Sequence, residues 1–394
     1  MGNFQRVYVL FCCVYLFSLG KSVAQDATYA QFFLNESRFN PALVGYRGAL
    51  SFMAKYKTQW NTAGVSGFQG AYVSMEESLP CSIFDYGLSV NGDQEGDGLL
   101  KTMEAALRMA GTVAWDAGFS SHNARIGLGL GWASKRIDYN RLLFSDELDP
   151  KYGTVNSQGV DLTTAFVPPN DGRSLWFFSP SIGFSHRILL NRQSRKSPTL
   201  HYGIAIHHAF SLGDREFTGN IESILGADTR IASRINVFAT GEFILMSNGR
   251  SFFSAQPVFV WQRQSKLSYF EIGNRFHLNR NLSMGVHYHG NFSKLERNKD
   301  TNWLTIEGQF GGMTGAGRRI DLGLSYAANL TGLRNYFGPI LEVSLGVHLA
   351  KSPTCQLAGF GDEVPYGNDI KCPTSALTPG RRKLYEGIWY KTMQ

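Results

Sequence analysis

Leu200-His201-Tyr202-Gly203-Ile204-Ala205-Ile206-His207 places a bulky apolar side chain at every second position and a small or polar one between. Arg125-Ile126-Gly127-Leu128-Gly129-Leu130-Gly131-Trp132 does the same. Successive side chains of a strand point to opposite faces, so each stretch is a strand with one apolar face and one polar or glycine face. A sandwich turns its apolar faces inward. An outer-membrane barrel turns them out to lipid and lines its lumen with the rest.

The alternation recurs along the chain near 48–58, 68–75, 83–92, 99–115, 124–136, 173–188, 199–211, 229–246, 252–263, 266–277, 281–291, 299–312, 317–327 and 340–350. That is about fourteen strands, an even number, most near the roughly 9–11 residues a tilted spanning strand needs. The even-numbered connections are short, whereas 137–172, 212–228 and 328–339, the three longest, all follow odd-numbered strands. A barrel with short periplasmic turns and long outward loops accounts for this gathering of long connections at one end, although Gln264-Ser265 is a tight exception. Trp60, Trp115, Trp132, Trp176 and Trp303 fall near strand ends, as interfacial girdles require.

The chain has 394 residues, 43 of them glycine, with 18% charged residues and a formal net charge of +7. Arg6, an apolar stretch from about Val7 to Leu19 and then Ser22-Val23-Ala24 predict a secretory signal over 1–25. The apolar stretch is too short for a spanning helix, so a membrane location requires a closed barrel. The expected organisation is signal peptide 1–25, an N-terminal periplasmic or lumenal segment 26–47, an all-β transmembrane antiparallel barrel 48–350, and a periplasmic C-terminal tail 351–394 with the basic run Arg381-Arg382-Lys383. An even strand count places both termini on the periplasmic side. Of the mature cysteines Cys81, Cys355 and Cys372, the pair Cys355–Cys372 closes a short loop in the tail and is favoured as a disulfide over either pairing with Cys81.

Chemistry-bearing patterns are sparse. Gly127 to Gly131 has the look of a dinucleotide fingerprint, but its glycines share one strand face and lack the strand-to-helix turn, so they are read as opening space in the lumen. His287 and His289 share a face and His207 and His208 are adjacent, without the three or four convergent ligands a metal needs. Asn91, Asp93, Glu95 and Asp97 depart from calcium-loop spacing and are read as a solvated hairpin loop; Asp146-Glu147-Leu148-Asp149 is weighed the same way. No nucleophile elbow or nucleophile–base pattern appears. The chain is therefore expected to be no enzyme, to carry no cofactor or metal, and to bind no nucleic acid.

An ordered series of short strings carries a family resemblance. It runs Gln25-Asp26-Ala27-Thr28-Tyr29-Ala30-Gln31-Phe32-Phe33, Asn40-Pro41-Ala42-Leu43-Val44-Gly45, Tyr56-Lys57-Thr58-Gln59-Trp60, Gly87-Leu88-Ser89-Val90-Asn91 with Gly96 and Gly98, Lys135-Arg136-Ile137-Asp138-Tyr139, and Leu143-Phe144-Ser145-Asp146-Glu147-Leu148-Asp149-Pro150. The series resembles the PorP/SprF family of outer-membrane proteins tied to type IX secretion and gliding, over about 25–350. The resemblance implies a barrel in the cell outer membrane that works with the secretion machinery. It implies as partners the C-terminal domain of a secreted cargo protein, held at the surface, and periplasmic components of the machinery. The family usually ends soon after its last strand; here about twenty residues follow Cys372-Pro373.

The expected partner-binding surface is the large third outward loop around Phe144, Asp146, Glu147, Asp149 and Pro150, with the N-terminal segment (Phe32, Phe33, Asn40, Pro41) partly plugged into the lumen. The barrel is expected as a monomer within a larger complex, in contact with outer-membrane lipid and lipopolysaccharide. The alternatives are a transport barrel for hydrophobic or small polar solutes, motivated by the glycine-rich face with Arg125, Lys135, Arg275 and His287, and a secreted soluble adhesin.

Overall fold

The computed structural model describes residues 29, 33, 36–46, 50–60, 67–78, 84–96, 99–168, 172–174, 176–191, 194, 197–209, 231–247, 252–265, 267–279, 281–291, 302–314, 318–330 and 338–349. The expected signal peptide, Phe32, Cys81, the 351–394 tail and the Cys355–Cys372 pairing lie outside the described residues.

Strands β1 (Leu50–Gln59), β2 (Phe68–Ser78), β3 (Phe84–Glu95), β4 (Leu100–Ala117), β5 (Ser120–Arg136), β6 (Phe177–Leu189) and β7 (Thr199–His207) form half of the wall. The other half is β8 (Arg234–Ser247), β9 (Phe252–Gln264), β10 (Leu267–Leu278), β11 (Leu282–Asn291), β12 (Trp303–Met313), β13 (Arg318–Asn329) and β14 (Ile340–Leu349). Each strand pairs antiparallel with its sequence neighbours, and β1 closes on β14 from Leu50↔Leu349 to Gln59↔Ile340. The expected antiparallel barrel of fourteen strands is the observed one. Closure satisfies every strand edge, the condition for sheet in lipid. No described helix is long and apolar enough to cross a membrane.

Local chemistry explains where the strands depart from expectation. The sequence from Asp116 to Asn123 does not alternate, so a loop is expected there. Instead β4 and β5 run on to Ala117↔Ser120 and turn on Gly118-Phe119, with Gly118 at φ +59°. Glycine adopts that left-handed backbone without the Cβ clash other residues meet. Pro257 within β9 has no N–H to give, and the β8 ladder skips from Thr240↔Val258 to Phe243↔Ala255 beside it.

The wall is inverted relative to a soluble protein. Ile126, Leu128, Leu324 and Val73 stand outward and are 60%, 56%, 62% and 57% exposed. Arg125, Glu271, Arg275, Glu307 and Glu342 on the other face are buried. A continuous apolar exterior over a polar interior is stable only against lipid. The barrel therefore belongs in the outer membrane, with the long connection between β5 and β6 marking its loop end and the Gly118-Phe119 hairpin between β4 and β5 its turn end.

The segment before β1 folds inside the wall. A helical turn (Glu36–Phe39) leads to Asn40, whose Oδ1 accepts from Ala42 N at 2.9 Å and caps the 3-10 turn Pro41–Leu43. Asparagine as cap with proline at the first helical position is a strong local start signal. Phe33 and Leu43 form an apolar core with Phe238, Val258 and Val260 of the wall, and Phe39 and Tyr46 pack against it. The segment runs along the lumen: Tyr29 hydrogen-bonds Asn91 and lies tilted against Tyr72 toward the loop end, while Gly45 lies against Glu77 and Asp85 at the turn end.

Candidate functional site

One wall of the lumen is built to seat the N-terminal segment. The glycines of β5, β6 and β7 supply room: a Cβ on Gly127 would stand 2.5 Å from Ala42 Cα, and one on Gly203 would stand 3.0 Å from Asn40 Nδ2. Gly183 faces the Asn40 carboxamide directly. The space these glycines open is thus occupied by the chain's own Asn40-Pro41-Ala42. Asn40 Nδ2 donates to the carbonyls of Phe184 (3.0 Å) and Ile204 (3.2 Å). Asn236 donates to Phe39 O at 2.7 Å, and the His207 ring bonds the same oxygen at 2.9 Å.

Arg125 is the charged latch. Its guanidinium donates to Ala42 O at 2.6 Å and to Val44 O, and pairs with Asp85 at 2.9 Å. Glu76 accepts from Gly45 N at 3.0 Å and from the Ser37 hydroxyl. Hydrogen bonds to charged groups contribute about 1.5–3 kcal/mol each and neutral ones about 0.5–1.5 kcal/mol. The segment is therefore a plug held by specific bonds along its length.

The facing wall carries buried charge in compensated clusters. Arg275 lies 2.5 Å from Glu307 and over the Phe33 ring at 4.1 Å. His287 bridges Glu271 (2.8 Å) and Glu307 (3.2 Å), while His289 bonds Tyr269 at 2.7 Å and Thr305 at 2.6 Å. Lys55 and Lys57 each lie 3.9 Å from Glu342, and Asp321 receives Arg319 and His348. Desolvated charges survive only when paired in this way. The histidines singled out in the sequence engage carboxylates, hydroxyls and, for His207, the Phe39 carbonyl, and among the described residues no group of three His, Cys, Asp or Glu is placed to hold a metal ion.

Tyr29 sits among these cations, with Arg38 at 5.3 Å and Lys55 at 5.1 Å from its ring centroid. Burial pushes its phenol up to about 12, against the opposing pull of Arg38. Asn91 accepts from the Tyr29 hydroxyl at 2.9 Å and donates to Asp93 at 3.2 Å. Asn91, Asp93 and Glu95 belong to β3 rather than to a hairpin loop, while Asp97 lies outside the described residues.

The loop after β5 is a folded body. Its stems are clamped by Ile137 N to Gly172 O (2.8 Å) and Ser174 N to Lys135 O (2.8 Å). Tyr139, Phe144 and Phe166 stack at its centre, with centroids 4.9–6.4 Å apart. Asp146 accepts from Thr164 Oγ1 (3.0 Å) and Ala165 N (2.8 Å), which holds its carboxyl below the usual carboxylate value. Asp149 accepts from the amides of Lys151 and Tyr152, and Glu147 from Phe144 N.

The structure thus brings Phe144, Asp146, Glu147 and Asp149 together, but the three carboxylates turn to the loop's own backbone. Leu143, Leu148, Pro150, Tyr152, Val160 and Val167 are exposed on the loop, interspersed with exposed polar residues such as Ser145, Asp146 and Lys151. Sequence reasoning names Pro150 with Phe144 and the acidic residues and misses Leu143, Leu148, Tyr152, Val160 and Val167, because an Asp or Glu in a loop reads as a free ligand until its acceptor bonds are seen. Arg125 was noted only as lumenal lining. Nothing in its local sequence indicates that its partners are carbonyls more than eighty residues upstream.

A family model described as type IX secretion system membrane protein PorP/SprF matches residues 21–347. No curated protein matches the chain in sequence. Among solved structures, the chain is similar to the Acinetobacter baumannii outer membrane protein Omp33 (7% identity, 76% of this chain and 99% of that one, TM-score 0.35). It is also similar to the monoaromatic hydrocarbon channel CymD (11% identity, 80% and 91%, TM-score 0.38). A third is the Ralstonia pickettii toluene transporter TbuX (11% identity, 79% and 92%, TM-score 0.35).

Proposed function

The chain belongs to the PorP/SprF family of type IX secretion membrane proteins, and on that premise we propose that it is a plugged adaptor barrel that holds a secreted protein at the cell surface. The observation that carries this reading is the pairing of a lumen occupied by residues 36–46 with a self-folded outward loop that exposes apolar side chains.

In this reading the 137–176 loop grips the C-terminal domain of a cargo protein through Leu143, Leu148, Pro150, Tyr152 and their neighbours. Asp146, Glu147 and Asp149 hold that surface in shape, with Phe144 packed beneath it. Isolated exposed apolar residues are ordinary, but several on one ordered loop mark a contact surface. The turn end and the tail meet the periplasmic machinery, and a single barrel serves within the larger complex, with its apolar band against outer-membrane lipid. The chain binds and does not catalyse.

Deleting 140–170 tests the reading. The barrel should still assemble and cargo should appear in the medium; cargo retained at the surface of cells with an assembled deletion barrel refutes it. Planar-bilayer recording separates the transport alternative: the intact barrel should be electrically silent, and a steady conductance favours transport.

A further inference from the structure

The plug does not fill the lumen to its loop end. A cavity of about 280 Å3 remains beside Tyr29, between the loop ends of β1, β9, β10 and β12. Gln59, Trp60, Gln262, Tyr269 and Trp303 line it. The volume lies just under the roughly 300–1,000 Å3 of small-molecule pockets, which suits a compact ligand and excludes a folded partner.

The lining combines aromatic faces with carboxamides. Among the described residues no carboxylate lines it. The cations at its edge are already engaged: Lys57 lies 3.9 Å from Glu342 and over the Tyr29 and Phe68 rings, and Arg234 has contacts of its own. His289 is engaged by Tyr269 and Thr305. An anionic peptide terminus, which needs a cation or a nest of amides, would compete with Glu342 for Lys57. A hydrocarbon would leave the Gln59 and Gln262 amides facing apolar surface, a costly loss of hydrogen bonds.

Trp60 adds an independent sign. It has φ +59°, in the left-handed region that bulky residues avoid. Strained backbone of this kind concentrates at ligand clamps, where the surrounding structure holds it.

We propose that this cavity is a binding site for a neutral saccharide unit, a mono- or disaccharide. A pyranose offers an apolar C–H face to an aromatic ring and a rim of hydroxyls that donate and accept. A carboxamide matches both roles of a hydroxyl with one side chain. The indole and phenol rings of Trp303 and Tyr269 supply the stacking surface and Gln59 and Gln262 the polar rim. The plug supplies the neighbouring wall through Tyr29, so the site exists only while the plug is seated. This proposal is independent of whether the outward loop grips cargo. The saccharide's two possible sources are the sugars of lipopolysaccharide and those on a secreted glycoprotein.

The test uses the full-length barrel in a non-glycosidic detergent, titrated with maltose and with N,N′-diacetylchitobiose and followed by saturation-transfer NMR. At least one sugar should bind saturably. Trp303→Ala should weaken it about tenfold, of the order expected for a lost ring stack, and Gln262→Ala should weaken it too, while Trp115→Ala, on the outer face at the turn end and outside the cavity, leaves it unchanged. Heat-modifiable migration confirms that each variant is folded. Competition by lipopolysaccharide core oligosaccharide, or by glycans released from secreted proteins, identifies the source. The proposal is overturned by no saturable response to either sugar, by binding unaltered in both cavity variants, by competition from neither glycan, or by binding of a peptide carboxylate in place of sugar.

Discussion

Replacing Gly127 with valine should unseat the plug while leaving the barrel wall intact. A Cβ at this position stands 2.5 Å from Ala42 Cα, and the other nearest atoms are also backbone of Pro41 and Ala42, so no side chain can swing aside to admit it. The strand cannot yield either, because β5 is paired along its length with β4 and β6. Overpacking of this kind costs about 1–3 kcal/mol, which shifts the seated-to-unseated ratio about 5- to 150-fold. Arg125 lies two residues away on the same strand and face, so displacement also strains its bonds to Ala42 O and Val44 O. The assay is limited trypsin cleavage after Arg38, a buried site in the seated plug. Gly308→Val is the control, since nothing lies within 4 Å of a Cβ there. Cleavage should accelerate in Gly127→Val and stay slow in Gly308→Val and the parent. Equal protection in both variants, with both barrels folded by heat-modifiable migration, would falsify the seating geometry.

Three further outcomes follow from the same contacts. Arg125→Met removes the cation 2.9 Å from buried Asp85 and two donors to the plug, and should lower stability by about 3–5 kcal/mol in urea unfolding; adding Asp85→Asn should recover part of that loss, and no recovery would mean the pair is not coupled. Asp146 has a lowered carboxyl value through its bonds to Ala165 and Thr164, so its contribution to loop order is complete above the ordinary 3.8 and fades only as pH falls through the lowered value; Asp146→Asn should speed proteolysis of the 140–170 region at neutral pH, and unchanged cleavage would remove its role as a staple. Tyr29, pushed up to about 12 by burial, should stay protonated in ultraviolet titration where ordinary tyrosines ionise near 10, and Tyr29→Phe should lower the late-titrating absorbance by one phenol; an unchanged late phase would refute the burial of Tyr29.

The wall was legible in the sequence because lipid and lumen impose a period of two on every strand. Leu200 to His207 shows it outright, and β7 covers those residues. Legibility failed where the period lapses for a local reason. The Gly118-Phe119 hairpin lets β4 and β5 pair through residues that do not alternate, and Asn91 to Glu95 looks like a loop by composition yet continues β3. The lumen was half legible. The glycines of β5 signalled space, and the aromatics before β1 signalled a docked segment, but which fills which depends on contacts such as Asn40 with Phe184 and Ile204, 144 and 164 residues apart. Such long-range bonds leave no local periodicity. The outward loop was found by its length and by the family resemblance of Leu143 to Pro150, and the engagement of Asp146 and Asp149 by nearby amides is a property of its folded backbone.

The adaptor account is tested most directly by crosslinking and affinity purification from native outer membranes, comparing the intact chain with the 140–170 deletion. The account predicts that the intact chain brings down a secreted surface protein through its C-terminal domain, that the deletion does not, and that periplasmic machinery components accompany both. Equal recovery of the surface protein by both chains would contradict it.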